Sequence, residues 1–354
     1  MARKGPKLRL GPVLAVIVAA LLGGVVGGLI VNALRSDDDS TATDAAGACA
    51  ATSVAERDLP AVVTIKAAGT GGQGTGSGSI IRPDGYVLTN NHVISGAAAG
   101  GSVEVVFNDG ETVAARIKGR DPTTDLAVLK VPESDVPKVI SFGETSEVRF
   151  GAPVIALGAP LGLSNTVTSG IVSTLDRTIS VADGPSRALL VDAIQTDAAI
   201  NPGNSGGALV DCDGKLIGIP TAGATVPNTA GGASTGSVGI GFAIPIDLAK
   251  LVSEEIIRTG EANHSYIGLQ ATLAQSPDGT PTGLRVTAVD PAGPAAQAGL
   301  EAGDLITAID GEEATSSDQL LALTLTKRAG AALELEVESA GATQTLTVTL
   351  GTKP

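Results

Sequence analysis

Ser205 stands in the run Asn201-Pro202-Gly203-Asn204-Ser205-Gly206-Gly207, and the chain offers two histidines to serve it, His92 and His264. A serine hydroxyl is almost wholly protonated near neutral pH. It becomes a nucleophile only when a base lies within hydrogen-bond reach and a third group orients that base. Imidazole suits the task because its unperturbed pKa is about 6.5. His92 follows the apolar run Leu88-Thr89-Asn90-Asn91, which reads as a strand running out into a turn of small residues. His264 lies in a polar stretch near the join of two differently patterned regions, outside the β-rich part that holds Ser205. Asp125, in Thr124-Asp125-Leu126-Ala127-Val128-Leu129, supplies a carboxylate. Singly these are a core histidine, a capping aspartate and a turn serine. Together they read as the triad of a serine protease.

The local contexts are more specific than the order of the three residues. Leu88 to His92, Thr124 to Lys130, and the thirteen-residue run Gln195-Thr196-Asp197-Ala198-Ala199-Ile200-Asn201-Pro202-Gly203-Asn204-Ser205-Gly206-Gly207 resemble the histidine, aspartate and nucleophile segments of trypsin-like serine proteases. They are most similar to those of the HtrA/Deg family of protein-quality-control proteases. Gly74 to Ile81 and Asp84-Gly85-Tyr86 fit the same pattern, and the resemblance extends over roughly residues 55 to 352. It implies a mainly β fold: a two-barrel, chymotrypsin-like serine protease domain followed by an α+β PDZ domain. It implies Ser205 as nucleophile, His92 as general base and then acid, and Asp125 as orienter. The backbone N–H groups of Gly203 and Ser205 would form the oxyanion hole, where one donor is worth ~2.7–4 kcal/mol.

In that fold the pocket for the residue before the cleaved bond is built from Ala199 and from Thr221-Ala222-Gly223. No acid sits there, so the expected preference is for small or medium aliphatic residues, with backbone at Thr221 and Gly223 pairing with an extended substrate. Asn204 is neutral where the digestive branch of the fold carries an aspartate for a freed N-terminal ammonium, so activation by that ion pair is excluded. The resemblance places switching instead in loops, here Gly158–Asn165, Asp176–Arg187 and Gly223–Ser237. Tyr266-Ile267-Gly268-Leu269, with Gly299-Leu300-Glu301-Ala302-Gly303-Asp304, resembles a circularly permuted bacterial PDZ domain. Those first four residues are then the loop that binds a peptide C-terminus, with a helix near Leu320 flanking the groove. The family commonly forms trimers, and a homotrimer is expected on that ground alone.

Several elements must position these groups. From Val54 to Pro245, short β-branched runs such as Val62–Ile65, Ser102–Phe107, Pro153–Leu157 and Thr166–Leu175 are separated by Gly, Asp and Pro, which argues for sandwich or barrel strands. Leu248, Leu251, Val252 and Ile256 share one helical face, and Gly260 closes that helix. The expected protease domain is 54–260 and the PDZ domain 265–352. In the latter, Leu284–Val289 reads as a strand, Ser316–Arg328 as a helix with a Ser316/Gln319 capping box, and Leu333–Val337 and Thr345–Val348 as closing strands.

The N-terminus sets the compartment. Residues 1–10 carry Arg3, Lys4, Lys7 and Arg9 with no acid, and 11–34 carry no charge at all. At ~1.5 Å rise per residue that run spans the ~30 Å hydrocarbon core as a helix. Basic residues before it and Asp37-Asp38-Asp39 after it orient the N-terminus to the cytoplasm, and 35–53 reads as a flexible stalk. A cleaved secretory signal is the alternative. The expectation is a single-pass cell-membrane protein with protease and PDZ domains extracytoplasmic. The formal net charge of −14, more acidic still outside the membrane, excludes a nucleic-acid footprint. Cys49 and Cys212 both fall on the oxidising side; a bridge between them is permissible, and two separate thiols fit equally well. No metal spacing or cofactor motif occurs. A holdase of the same fold, and a protease dedicated to one membrane-bound target, are the competing functional readings.

Overall fold

The computed structural model describes residues 49–133, 136–159, 165–183, 186–221 and 237–352. The apolar run 11–34, the basic tail before it and the stalk as far as Ala48 lie outside the described residues. Among the described residues no helix is long and apolar enough to cross a membrane.

The folded body begins earlier than the stalk reading placed it. Cys49 is joined to Cys212 by a disulfide, with Cα atoms 5.0 Å apart. Helix α1 follows at Ala51–Asp58. Val54 and Ala55 pack into the core between the two barrels, and buried Asp58 pairs with Arg57 at 3.1 Å and Lys138 at 3.4 Å. Eight residues are too few to show a helical period against a Ser/Thr/Ala background, which is why the sequence shows no helix here and reads its first three residues as stalk.

The first barrel is built from β1 (Val62–Gly69), β2 (Gly72–Arg82), β3 (Tyr86–Asn90), β4 (Ser102–Val106), β5 (Thr112–Asp121) and β6 (Leu126–Lys130). It closes in the order β1-β2-β3-β6-β5-β4. The second comprises β7 (Ser141–Phe142), β8 (Pro153–Gly158), β9 (Thr166–Asp183), β10 (Ser186–Thr196), β11 (Ala208–Val210), β12 (Lys215–Pro220) and β13 (Gly241–Pro245). A β11–β12 pairing closes β8 to β13 into a ring, with β7 added outside it on β12.

Strand alternation sorts side chains between three cores. Val87, Ala127 and Leu129 fill the first barrel, Val154, Ala156, Ile194 and Leu209 fill the second, and Leu88, Leu126, Val128, Ile155 and Leu157 meet between the barrels. Because β3 and β6 bury both faces, their sequences run almost continuously apolar. Each fully buried leucine contributes roughly 1.5–3 kcal/mol of transfer free energy, so the seam that carries the chemical groups is anchored deeply. Helix α3 (Ile246–Thr259, after the four-residue turn α2 at Asn91–Ile94) lays Leu248, Ala249, Val252 and Ile256 on the same core and ends at Gly260.

One expected loop is mostly strand. Across Asp176–Arg187, β9 and β10 continue as a ladder that pairs Asp183 with Ser186 and Ile179 with Leu190. Asp176 and Asp192 adopt φ of 57° and 51° near the register shifts between the two strands. The β-branched Thr178, Ile179 and Val181 favour this extension. The other two expected switching loops lie largely outside the described residues, at 160–164 and 222–236.

The C-terminal region has its own core around Leu284, Ile306, Leu333, Leu335 and Val348. Short β14 (Ser265–Tyr266) pairs with the last strand, Gly351–Thr352. The main sheet runs from β15 (Leu269–Gln275) through β16 (Pro281–Val289) and β17 (Leu305–Ile309) to Ala332–Ser339 and Ala342–Thr349. A short helix α4 at Pro294–Gln297 precedes α5 at Ser317–Thr326, whose capping box of Ser316 and Gln319 is formed as expected. Helix α5 stops two residues before Arg328, because Lys327 is already extended.

Candidate active site

The register of β3 against β6 brings the histidine and aspartate together. Asn90 pairs with Leu126, which sets Asp125 beside the turn Asn91–Ile94 that carries His92. Asp125 is 2% exposed and held in the left-handed region at φ 57°, which aspartate tolerates better than most side chains. Its main-chain carbonyl accepts from Asn91 N at 3.1 Å and Asn90 Nδ2 at 2.8 Å. Its carboxylate accepts from His92 N at 2.9 Å and from Thr221 Oγ1 at 2.9 Å, and lies 2.8 Å from His92 Nδ1. A carboxylate is an acceptor only, so Nδ1 bears the ring proton in neutral His92, and the lone pair is on Nε2 at the other side of the ring. The His92 side chain is 31% exposed, so part of the ring is open to solvent.

Ser205 arrives on a loop wedged between the barrels. Its carbonyl accepts from Ser77 N at 2.8 Å, and Gly206 N donates to Pro220 O at 2.9 Å. A Cβ at Gly206 would lie 2.3 Å from Thr89 Oγ1 and 3.0 Å from Asn90 N, so only glycine lets the serine loop sit against the histidine strand. Asn204 N closes a turn onto Asn201 O at 3.0 Å, with Pro202 and Gly203 central and Gly203 at φ 103°. Proline then glycine at positive φ is the signature of a type II turn. Among the described residues the N–H groups of Gly203 and Ser205 make no hydrogen bond. The geometry therefore provides two backbone donors beside one buried hydroxyl.

The remaining expected site residues are distributed as follows. Half-buried Ala199 turns its carbonyl to Thr168 Oγ1 at 3.0 Å and Asn204 Nδ2 at 3.2 Å. Asn204 is thus satisfied by neutral backbone and needs no cationic partner. Thr221 is fully buried; its N–H goes to Phe242 O at 3.0 Å and its hydroxyl to Asp125. Ala222 and Gly223 lie outside the described residues. Among the described residues no cluster of His, Cys, Asp and Glu could hold a metal ion.

Three contributions escape a reading of the sequence. The Thr221 hydroxyl supports Asp125, whereas the expectation concerned only the Thr221 backbone. Ser77 Oγ donates to Gly203 O and accepts from Ala159 N at 2.8 Å, tying the two barrels at the serine loop. His264, expected to stand apart in a linker, lies with Nε2 2.8 Å from Oδ2 of Asp121, four residues before Asp125. Burial alone would raise the Asp121 carboxyl, but the His264 hydrogen bond and charge, with Thr124 and Thr123, outweigh it and hold its pKa below 3.8.

A groove of about 530 Å³ runs between β15 and α5, lined by Ile267, Gly268, Leu269, Ala271, Leu320 and Thr324 among others. Strand β15 is the edge of its sheet, paired on one side with β16. The carbonyls of Ile267 and Gly268 accept from Ala295 N at 2.9 Å and Asp290 N at 2.8 Å. In a trans peptide N–H and C=O point opposite ways, so the N–H groups of Gly268 and Leu269 face away from that turn, on the groove side. Tyr266 is tied back by its hydroxyl to Asp290 at 2.9 Å. An extended chain can add to such an edge as a further strand.

Comparison with known proteins agrees with this architecture. Residues 76–219 match the trypsin-like peptidase domain, and residues 265–350 match the PDZ domain. The chain is 39% identical to serine protease PepD of Mycobacterium tuberculosis, over 99% of this chain and 80% of that protein. It is 39% identical to a probable periplasmic serine endoprotease, DegP-like, of Halomonas elongata, over 79% of this chain but 56% of that longer protein. Among solved structures, the HtrA-type protease AlgW with a tripeptide superposes with a TM-score of 0.68 at 38% identity, over 86% of this chain and 97% of the other. The two barrels, the single peptide-binding type of C-terminal domain and these likenesses make the chain a serine endopeptidase that belongs to the HtrA family of trypsin-like proteases.

Proposed function

We propose that this endopeptidase cleaves unfolded or damaged proteins outside the cytoplasm by acyl-enzyme catalysis, with Ser205, His92 and Asp125 as its triad. The observation that carries the assignment of roles is Asp125, buried and bonded to both His92 Nδ1 and His92 N. Ser205 Oγ attacks the scissile carbonyl carbon while His92 Nε2 takes its proton. The carbonyl oxygen becomes an oxyanion that accepts from the N–H groups of Gly203 and Ser205. His92 then passes the proton to the departing amine as the C–N bond breaks, leaving an ester on Ser205. Water, deprotonated by His92, cleaves that ester and restores the serine. Asp125 keeps the ring oriented and stabilises the imidazolium.

The same proposal gives the Gly268 and Leu269 N–H groups to the carboxylate of a peptide C-terminus, recruited or sensed in the β15–α5 groove. Small and medium aliphatic side chains before the cleaved bond fit the absence of any acid at Ala199. Anchoring by residues 11–34, an extracytoplasmic body, envelope quality control and assembly as a trimer complete the reading. Their support is the charge pattern and the family resemblance.

The test is digestion of denatured casein by the purified full-length protein beside Ser205→Ala. Cleavage by the first and none by the second is expected. Equal cleavage by both would sink the assignment of Ser205. Binding of casein without cleavage by either would favour the holdase reading.

A further inference from the structure

The turn that delivers Asp125 is itself held from outside. Asp121 ends β5, and its side chain is 4% exposed. Oδ1 accepts from Thr123 N at 3.0 Å, while Oδ2 accepts from Thr124 Oγ1 and lies 2.8 Å from His264 Nε2. Thr123 O accepts from Leu189 N of β10 at 2.8 Å. The residues between Asp121 and Asp125 therefore have little freedom of their own. The carboxylate fixes the start of the turn, β10 fixes its middle, and Asp125 at φ 57° is its last residue. A left-handed aspartate is an intrinsically less favoured conformation. It persists only when its surroundings over-determine it, and the Asp121 cluster provides that restraint on the N-terminal side.

His264 is the one member of this cluster contributed from outside the first barrel and its neighbour. It precedes β14, belongs to the link into the C-terminal domain, and lines the β15–α5 groove together with Thr123. Its own side chain is 22% exposed, while the carboxylate it meets is buried. Loss of the imidazole would leave Asp121 with the two donors of its own turn, and a buried carboxylate short of a donor rearranges to find one.

We propose that His264 and Asp121 form a positioning pair for Asp125, so that a residue of the link to the PDZ domain sets how firmly the triad carboxylate is held. The pair touches neither substrate nor reacting atoms; it acts through the turn. The inference rests on the reading of His92, Asp125 and Ser205 as the triad.

Steady-state cleavage of a short fluorogenic peptide by the full-length protein tests it, with Ser205→Ala, His264→Ala, His264→Gln and the double variant Asp121→Asn/His264→Ala. Small misplacements of a catalytic group cost one to two powers of ten, so His264→Ala is expected to lower kcat about tenfold with KM unchanged. His264→Gln, whose amide can donate to Asp121, is expected to recover most of that loss. The double variant is expected to be no worse than His264→Ala, because both changes remove one contact. Thermal unfolding followed in parallel separates positioning from folding. A kcat loss that accompanies a lowered melting temperature and is not recovered by glutamine overturns the proposal, as does a double variant clearly slower than His264→Ala. An unchanged kcat in His264→Ala beside an inactive Ser205→Ala overturns it and leaves the triad standing. Activity in Ser205→Ala overturns the triad reading itself.

Discussion

Two histidine–aspartate pairs lie four residues apart along one turn, and by distance they are the same: His92–Asp125 and His264–Asp121 both stand at 2.8 Å. Both carboxylates are buried and both rings are partly exposed, at 31% and 22%. They differ in which ring nitrogen is used and in what the ring then borders. His92 gives Nδ1 to its aspartate, so in the neutral ring the lone pair is on Nε2, the atom that the proposed mechanism assigns to Ser205. His264 gives Nε2, and its ring shares the groove lining with Thr123, Ser265 and Tyr266. A histidine bound to a buried carboxylate is therefore not a sign of catalysis. The orientation of the ring and the identity of the third group decide, and the proposed triad gives both to His92.

The largest expected contrast comes from making the same substitution in each pair. Asn at position 125 would favour the wrong tautomer of His92, and a change of that kind lowers kcat by about 10⁴-fold in this mechanism. Asp121→Asn is expected to lower it by about tenfold, through positioning alone. Casein digestion with kcat measured for both variants checks this; comparable losses would mean that the two pairs share the chemistry. Thr221→Val sharpens the picture at the next level. It removes one of the donors to the Asp125 carboxylate while keeping the volume of a fully buried side chain. A hydrogen bond to a charged group is worth about 1.5–3 kcal/mol, and ~1.4 kcal/mol is tenfold in rate, so kcat is expected to fall about ten- to hundredfold. An unchanged kcat would show that the two His92 contacts are enough to hold Asp125.

The difference between the pairs also marks what could be read in advance. The pairing of His92 with Asp125 was legible because each sits in a contiguous run whose neighbours serve the same task, and the proposed role of Ser205 rests on a run of the same kind. The continuous apolar stretch of Leu126–Leu129 gives a strand buried on both faces, and Gly206 is required by contact with Thr89 and Asn90. Helix α3 and the capping box at Ser316 were legible from local period and local chemistry. The Asp121–His264 contact spans 143 residues, Ser77–Gly203 spans 126, and Thr221–Asp125 spans 96. Such contacts are set by barrel closure and by the seam between barrels, which leave no periodic trace. The short helix at Ala51–Asp58 and the ladder across Asp176–Arg187 were missed for a related reason. A disulfide and a few core contacts order the first, and a partner strand orders the second.

The smallest expected effect separates the pairs by stability instead of rate. Asp121 has a folded pKa held below its ordinary 3.8: burial opposes this, and the His264 contact together with Thr124 and Thr123 prevails. A carboxyl whose folded pKa is depressed contributes stability that is fully present above its unfolded pKa and is lost as pH falls through the folded value. Asn at 121 cannot titrate, so the variant lacks that contribution at every pH. Near neutral pH it is expected to be less stable than the parent by about 2 kcal/mol, the scale of one charge-assisted hydrogen bond. That gap should stay level down to about pH 5 and close as the pH drops below 3.8. Urea unfolding of both proteins across this range measures it. A gap that persists undiminished at the acid end would mean that shape, not charge, holds the turn, and the outer pair would then position Asp125 as a spacer would.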